Sequence, residues 1–122
     1  MIALTKLPGG SEIYDIDCTM RLAAGETLVS VDSMSFLPAL TGADALSFGA
    51  TAINSTQITY DDGRVAPIGK VVQVRILGGS AAANQPKREY SVIATCTTSA
   101  GNILVARAPL QVLTLAPLNN LP

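Results

Sequence analysis

The chain has 122 residues, 48% of them hydrophobic and 14% charged, which describes one ordinary globular domain with no room for a second. Eight basic residues against nine acidic ones, a net charge of −1 and no long basic run give neither nucleic acid nor an anionic membrane an electrostatic reason to bind. The absence of histidine removes the commonest general base and the Ser-His-Asp and Cys-His hydrolases, and 4% aromatic residues without tryptophan make a poor platform for stacking sugars or bases.

In chain order, residues 1–10 read as an apolar, proline-punctuated arm. They lack the apolar run of roughly 7 to 15 residues that a secretory signal needs, so synthesis in a cytoplasm, where thiols stay reduced, is expected. From Ile13 the alternation of Tyr14, Ile16, Cys18, Met20 and Leu22 with Asp15, Asp17, Thr19 and Arg21 predicts a half-buried strand. A turn at Ala23–Thr27 leads to a second strand carrying Leu28, Val29, Val31, Met34, Phe36 and Leu37 and stopped by Pro38. Residues 39–45 are ambiguous. Leu46–Ala50, Gln57–Tyr60 and Val71–Leu77 read as short strands separated by Asn54-Ser55, Asp61-Asp62-Gly63 and Gly78-Gly79. Gly78–Glu89 reads as an exposed hairpin loop, and Tyr90–Thr98 as a strand with Tyr90, Val92, Ala94 and Cys96 on one face. After Ser99-Ala100-Gly101-Asn102 a last strand runs from Ile103 to Leu115, with Pro109 marking it as an edge or as split by a bulge. Residues 116–122 form a second apolar arm. The expected architecture is all-β: an antiparallel sandwich of about seven strands over residues 11–115, with almost no helix.

Few residues suggest chemistry, and no enzyme, metal or cofactor is expected. Asp15 and Asp17 are two apart on one strand face, where solvation explains them better than a catalytic pair, which needs a cleft. Asp61-Asp62-Gly63 fits a hairpin turn better than a calcium loop, which needs roughly six to eight oxygens. Gly78-Gly79-Ser80 lacks the lysine and the following helix of a phosphate loop. Lys87 and Arg88, at the end of the long loop, are candidates for a partner contact, with a solubilising loop tip as the alternative, and Leu115, Leu118 and Leu121 of the C-terminal segment are further contact candidates. The Tyr90 hydroxyl either ties a strand start to nearby backbone or belongs to a plain half-buried aromatic.

Two stretches carry a family resemblance. Tyr14-Asp15-Ile16-Asp17-Cys18-Thr19-Met20-Arg21-Leu22 through Gly25-Glu26-Thr27-Leu28, and Tyr90-Ser91-Val92 followed by Thr97-Thr98-Ser99-Ala100-Gly101, resemble a group of small bacteriophage structural or fibre-like proteins with an immunoglobulin-like domain. Those proteins often carry tryptophan where Cys18 stands here. The resemblance implies an immunoglobulin-like fold and a virion component, made in the host bacterial cytoplasm, that decorates or reinforces a capsid or neck through contacts with other virion proteins. The apolar C-terminal segment suits a homo-oligomer, as a trimer or by domain exchange. The alternative the resemblance leaves is a module on the particle that adheres to host-surface polysaccharide. In an immunoglobulin-like sandwich, Cys18 and Cys96 would sit on the strands that an inter-sheet disulfide joins. A reducing cytoplasm favours two buried thiols instead.

Overall fold

The computed structural model describes residues 4–6, 10–80 and 87–113. Nine strands run in order: β1 (Leu4–Lys6), β2 (Glu12–Asp17), β3 (Leu28–Leu37), β4 (Leu46–Ile53), β5 (Ile58–Thr59), β6 (Val65–Ala66), β7 (Val71–Gly78), β8 (Lys87–Thr98) and β9 (Ile103–Leu113). The described helical content is two single 3₁₀ turns, Thr19–Arg21 and Gly42–Asp44.

One sheet has the order β1-β9-β8-β3 and the other β2-β7-β4, while β5 and β6 form a separate hairpin. The two sheets together hold seven strands, the number expected but not the same set: β1 takes part where an arm was expected, and the expected Gln57–Tyr60 strand lies in the separate β5–β6 hairpin. All ladders are antiparallel except β1 on β9. A three-stranded sheet built from the second, seventh and fourth strands, facing one built from the third, eighth and ninth, is the strand distribution of an immunoglobulin-like sandwich. The first ten residues are not wholly an arm, because Leu4–Lys6 belong to the sheet.

Alternation along the chain decides what is buried. Tyr14 and Ile16 of β2, Val72, Val74 and Ile76 of β7, the even-numbered residues Tyr90 to Cys96 of β8 and Leu104 to Val112 of β9 all face one shared core. Each large aliphatic side chain taken fully out of water there contributes roughly 1.5–3 kcal/mol. The alternation read in β2 runs too far, however. It continues on paper through Met20 and Leu22, yet the strand ends at Asp17 and Met20 is 96% exposed. The Asp17 carboxylate accepts hydrogen bonds from the Thr19 backbone N–H (2.9 Å) and hydroxyl (2.6 Å), which turns the chain out of the sheet.

Both long strands at the sheet edges are bulged: β3 shifts register between Leu28 and Ser30 and between Val31 and Ser33, and β4 between Phe48 and Thr51. Such breaks blunt edges that would otherwise template pairing with another chain. Pro109 lies in β9, whose pairing with β8 runs without a shift from Leu113 to Ile103, so the strand is not split. Among the described residues, β1 pairs with β9 at Leu110 to Val112, beginning one residue beyond Pro109. The Val105 carbonyl accepts from Arg21 Nη1 (2.9 Å) on the open side, and Pro109 shares its parity. The donor that proline lacks therefore points away from β8.

Two polar hubs fix the connections. The side chain of buried Asn54 donates from Nδ2 to the carbonyls of Thr56 and Pro67, each at 2.9 Å, and accepts at Oδ1 from the N–H groups of Lys70 (3.0 Å) and Val71 (2.9 Å). At one end of the sandwich the Tyr90 hydroxyl donates to the Asp44 carbonyl at 2.5 Å, so it does tie its strand to distant backbone. Ser80 bonds the Asp44 carboxylate through its hydroxyl, and the Ser80 N–H lies 3.4 Å from the Tyr90 oxygen. The Gly78-Gly79 pair serves this packing. Both have positive φ, and a Cβ on Gly78 would stand 2.6 Å from the Ala45 carbonyl oxygen.

Candidate functional site: the outer face of the four-stranded sheet

The outward residues of β8 and its neighbours form a regular grid. Cross-strand pairing sets Ser30 beside Thr97 and Thr97 beside Ile103; Ser33, Thr95 and Val105 form the next row; Ser35, Ile93 and Arg107 the third; Leu37, Ser91 and Pro109 the fourth. Period-2 geometry guarantees this face, since the alternate residues of β8 and β9 are the buried ones. The grid consists of hydroxyls and apolar side chains: Ile103, Val105 and Leu37 are all exposed, with Ile103 at 65%. Four charges adjoin it, of which Lys87 and Glu89 pair with each other beyond the fourth row. The Asp32 carboxylate accepts from the hydroxyls of Thr97 (2.6 Å) and Ser30 (2.7 Å), which hold its pKa below the usual carboxylate range. Arg107 is exposed and makes no hydrogen bond or ion pair among the described residues. Between these charges the face carries hydroxyl and apolar side chains.

The fourth row opens into a groove of about 370 Å³ walled by Leu37, Pro38 and Pro109, with Ser91, Glu89 and Gln111 supplying its polar groups. A second, shallower hollow of about 310 Å³ lies between the turns Ala23–Glu26 and Ser99–Asn102. Its polar atoms are committed. Glu26 accepts from Thr98 Oγ1 (2.6 Å), the Ala23 N–H (2.9 Å) and Asn102 Nδ2 (3.1 Å), bonds that lower the Glu26 pKa, while the Thr27 N–H donates to the Ser99 hydroxyl (2.9 Å) and the Ser99 N–H to the Thr27 carbonyl (2.8 Å). The Gly-Glu-Thr turn and the Thr-Thr-Ser-Ala-Gly turn that carry the family resemblance are therefore one structural clasp.

The residues singled out from sequence fall in different places. Lys87 and Arg88 do not cap a loop: both belong to β8, because β9 extends to Leu113 and offers them ladder partners. Lys87 pairs with Glu89 at 3.3 Å, and Arg88 turns inward to place Nη1 3.2 Å from the Asp44 carboxylate. Leu115, Leu118 and Leu121 lie outside the described residues, as do most of the two expected arms.

Cys18 and Cys96 are fully buried free thiols. Burial, then the neighbouring Cys96 thiol and Asp17, push the Cys18 pKa up to about 12, and burial raises Cys96 as well. Neither is a nucleophile in this state.

Asp15 and Asp17 do not converge on a cleft. Asp15 faces Gln73 Nε2 at 3.4 Å, and Asp17 meets Arg64 at 3.5 Å. Asp61-Asp62-Gly63 is a turn, in which Asp62 caps the Arg64 N–H (2.9 Å) and Gly63 adopts φ +87°. Sequence reasoning missed the sheet face itself. Its signal was present in the odd-numbered hydroxyl and aliphatic positions of β8 and β9, but only pairing across three strands joins them into one surface. Compared with known proteins, the chain matches no family model, no curated protein and no solved structure.

Proposed function

We propose that the protein is a non-enzymatic structural component of a bacteriophage particle, made in the host bacterial cytoplasm, that decorates or reinforces the capsid or neck by protein–protein contact. The observation carrying the contact role is the charge-poor centre of the outer face of β3, β8 and β9. The phage assignment rests on the family resemblance, whose two turn motifs meet in a single clasp through Glu26, Thr98 and Asn102. Adhesion to polysaccharide has less support. Tyr14 and Tyr90 are buried, while Phe36, Phe48 and Tyr60 are half-buried, so no aromatic ring stands free to stack on a sugar.

The test is quantitative mass spectrometry of purified particles, counting this chain against the major shell protein. A count comparable to the shell protein fits decoration, and a small fixed count fits the neck. Complete absence from the particle overturns the reading.

A further inference from the structure

We infer that the outer face of the four-stranded sheet is a homodimer interface, with a two-fold axis lying in the face at Thr95. The inference refines the contact role proposed above, but it concerns the isolated protein, so its failure and that of the particle assignment are read separately.

Two of the four charges, Arg107 and Asp32, flank the grid. Arg107 stands beside Ile93 on the β9 flank, and the Asp32 carboxylate is bonded to Thr97 on the β3 flank. Thr95 lies midway between Ile93 and Thr97 on the central strand. A two-fold axis in the face at Thr95 exchanges the two flanks, so that Arg107 of each copy meets Asp32 of the other. With strands about 4.8 Å apart and about 3.4 Å of rise per residue, that exchange makes the strands of the two copies cross at a steep angle, one of the two ways in which sheets pack. The Ser30 and Thr97 hydroxyls already hold Asp32 in place and leave lone pairs for a guanidinium. Arg107, for its part, has no partner of its own among the described residues.

The rest of the face suits a self-match. Its centre is Thr95 and Ile93, surrounded by Ser33, Ser35 and Val105, with no charge to bury unpaired. Three strands make a strip roughly 14 Å wide, and two such strips crossing steeply overlap over roughly 14 by 15 Å. That is on the order of 300 Å² of accessible surface per copy once side-chain relief is included, which is the size of a weak contact. A weak dimer, with a Kd on the order of 0.1 mM, is expected. Isologous pairing of this kind is the commonest form of oligomer.

Sedimentation equilibrium of the full chain from about 1 µM to 1 mM tests this, with circular dichroism confirming that each variant is folded. Arg107→Glu and Asp32→Lys should each weaken self-association by about tenfold or more, because both contacts then set like charges together. Mixing the two variants should restore a heterodimer, since the pairs across its interface are again opposite in sign. Thr95→Cys, on the axis, should give a disulfide-linked dimer under mild oxidation, while Ser91→Cys, off it, should not. A wild-type chain monomeric at 1 mM, or a mixture of the two charge variants no better associated than either alone, overturns the inference.

Discussion

Replacing Asn54 with alanine should cost about 4 kcal/mol of stability. Its side chain fills every donor and acceptor position it has, and the four partners lie in three separate segments: Thr56, Pro67, and the adjacent Lys70 and Val71. In Asn54→Ala the carbonyls of Thr56 and Pro67 and the N–H of Lys70 regain water, a loss of about 1 kcal/mol each. The Val71 N–H belongs to a fully buried residue, and leaving it without a partner adds about 1–3 kcal/mol, so about 4 kcal/mol is the lower bound of the sum. For a chain of 122 residues, 1 kcal/mol moves the melting temperature by about 4 °C, so a fall of about 15 °C is expected. Asn54→Asp keeps the two acceptor contacts but turns a carboxylate oxygen toward two carbonyls, and should be clearly destabilising as well. Gln57→Ala, exposed on the same connection, should stay within about 0.5 kcal/mol of wild type. Urea unfolding monitored by circular dichroism measures all three. If Asn54→Ala unfolds within about 1 kcal/mol of wild type, the claim that this amide organises the β4–β7 connections is refuted.

Tyr90→Phe keeps the ring packed edge-on against Phe36 but removes the hydroxyl bond to the Asp44 carbonyl, and should lower stability by about 1–2 kcal/mol in the same urea titration. Cys18 and Cys96 should resist alkylation in the native protein at pH 8 and react only in denaturant; labelling of either at the rate of a free thiol would contradict their burial. Because the folded pKa of Cys18 is raised to about 12, its contribution to stability is complete below the unfolded thiol value of 9.0 and lost as pH rises through about 12, so the urea midpoint should fall over that alkaline range. The lowered pKa values of Glu26, Asp32 and Asp44 act in the opposite direction. Their stabilisation is present above the unfolded carboxylate range and lost as pH falls through the folded values, so the midpoint should drop below about pH 4, and Glu26→Gln should reduce that drop.

What the sequence determined by itself was the local alternation. Tyr14 and Ile16, the even positions of the Tyr90 strand and the turn residues at Asp62-Gly63 and Gly101 are legible because side chains switch faces at every residue of a strand and a positive φ favours glycine. Both rules act within a few residues. The same local reading carried β2 too far, through Met20, because two hydrogen bonds from Thr19 to the Asp17 carboxylate outweighed the pattern. It also began β8 at Tyr90, when β9 supplies partners back to Lys87. Tertiary structure alone decided that Leu4–Lys6 joins β9 in parallel, that Pro109 pairs with Ser91 with its ring nitrogen turned away from β8, and that Arg88 is taken up by Asp44. It likewise made Asn54 a hub and assembled Asp32, Thr95 and Arg107 into one face. Each of these depends on hydrogen bonds or pairings between residues far apart in the chain, whose geometry exists only once the sheets have closed on a common core.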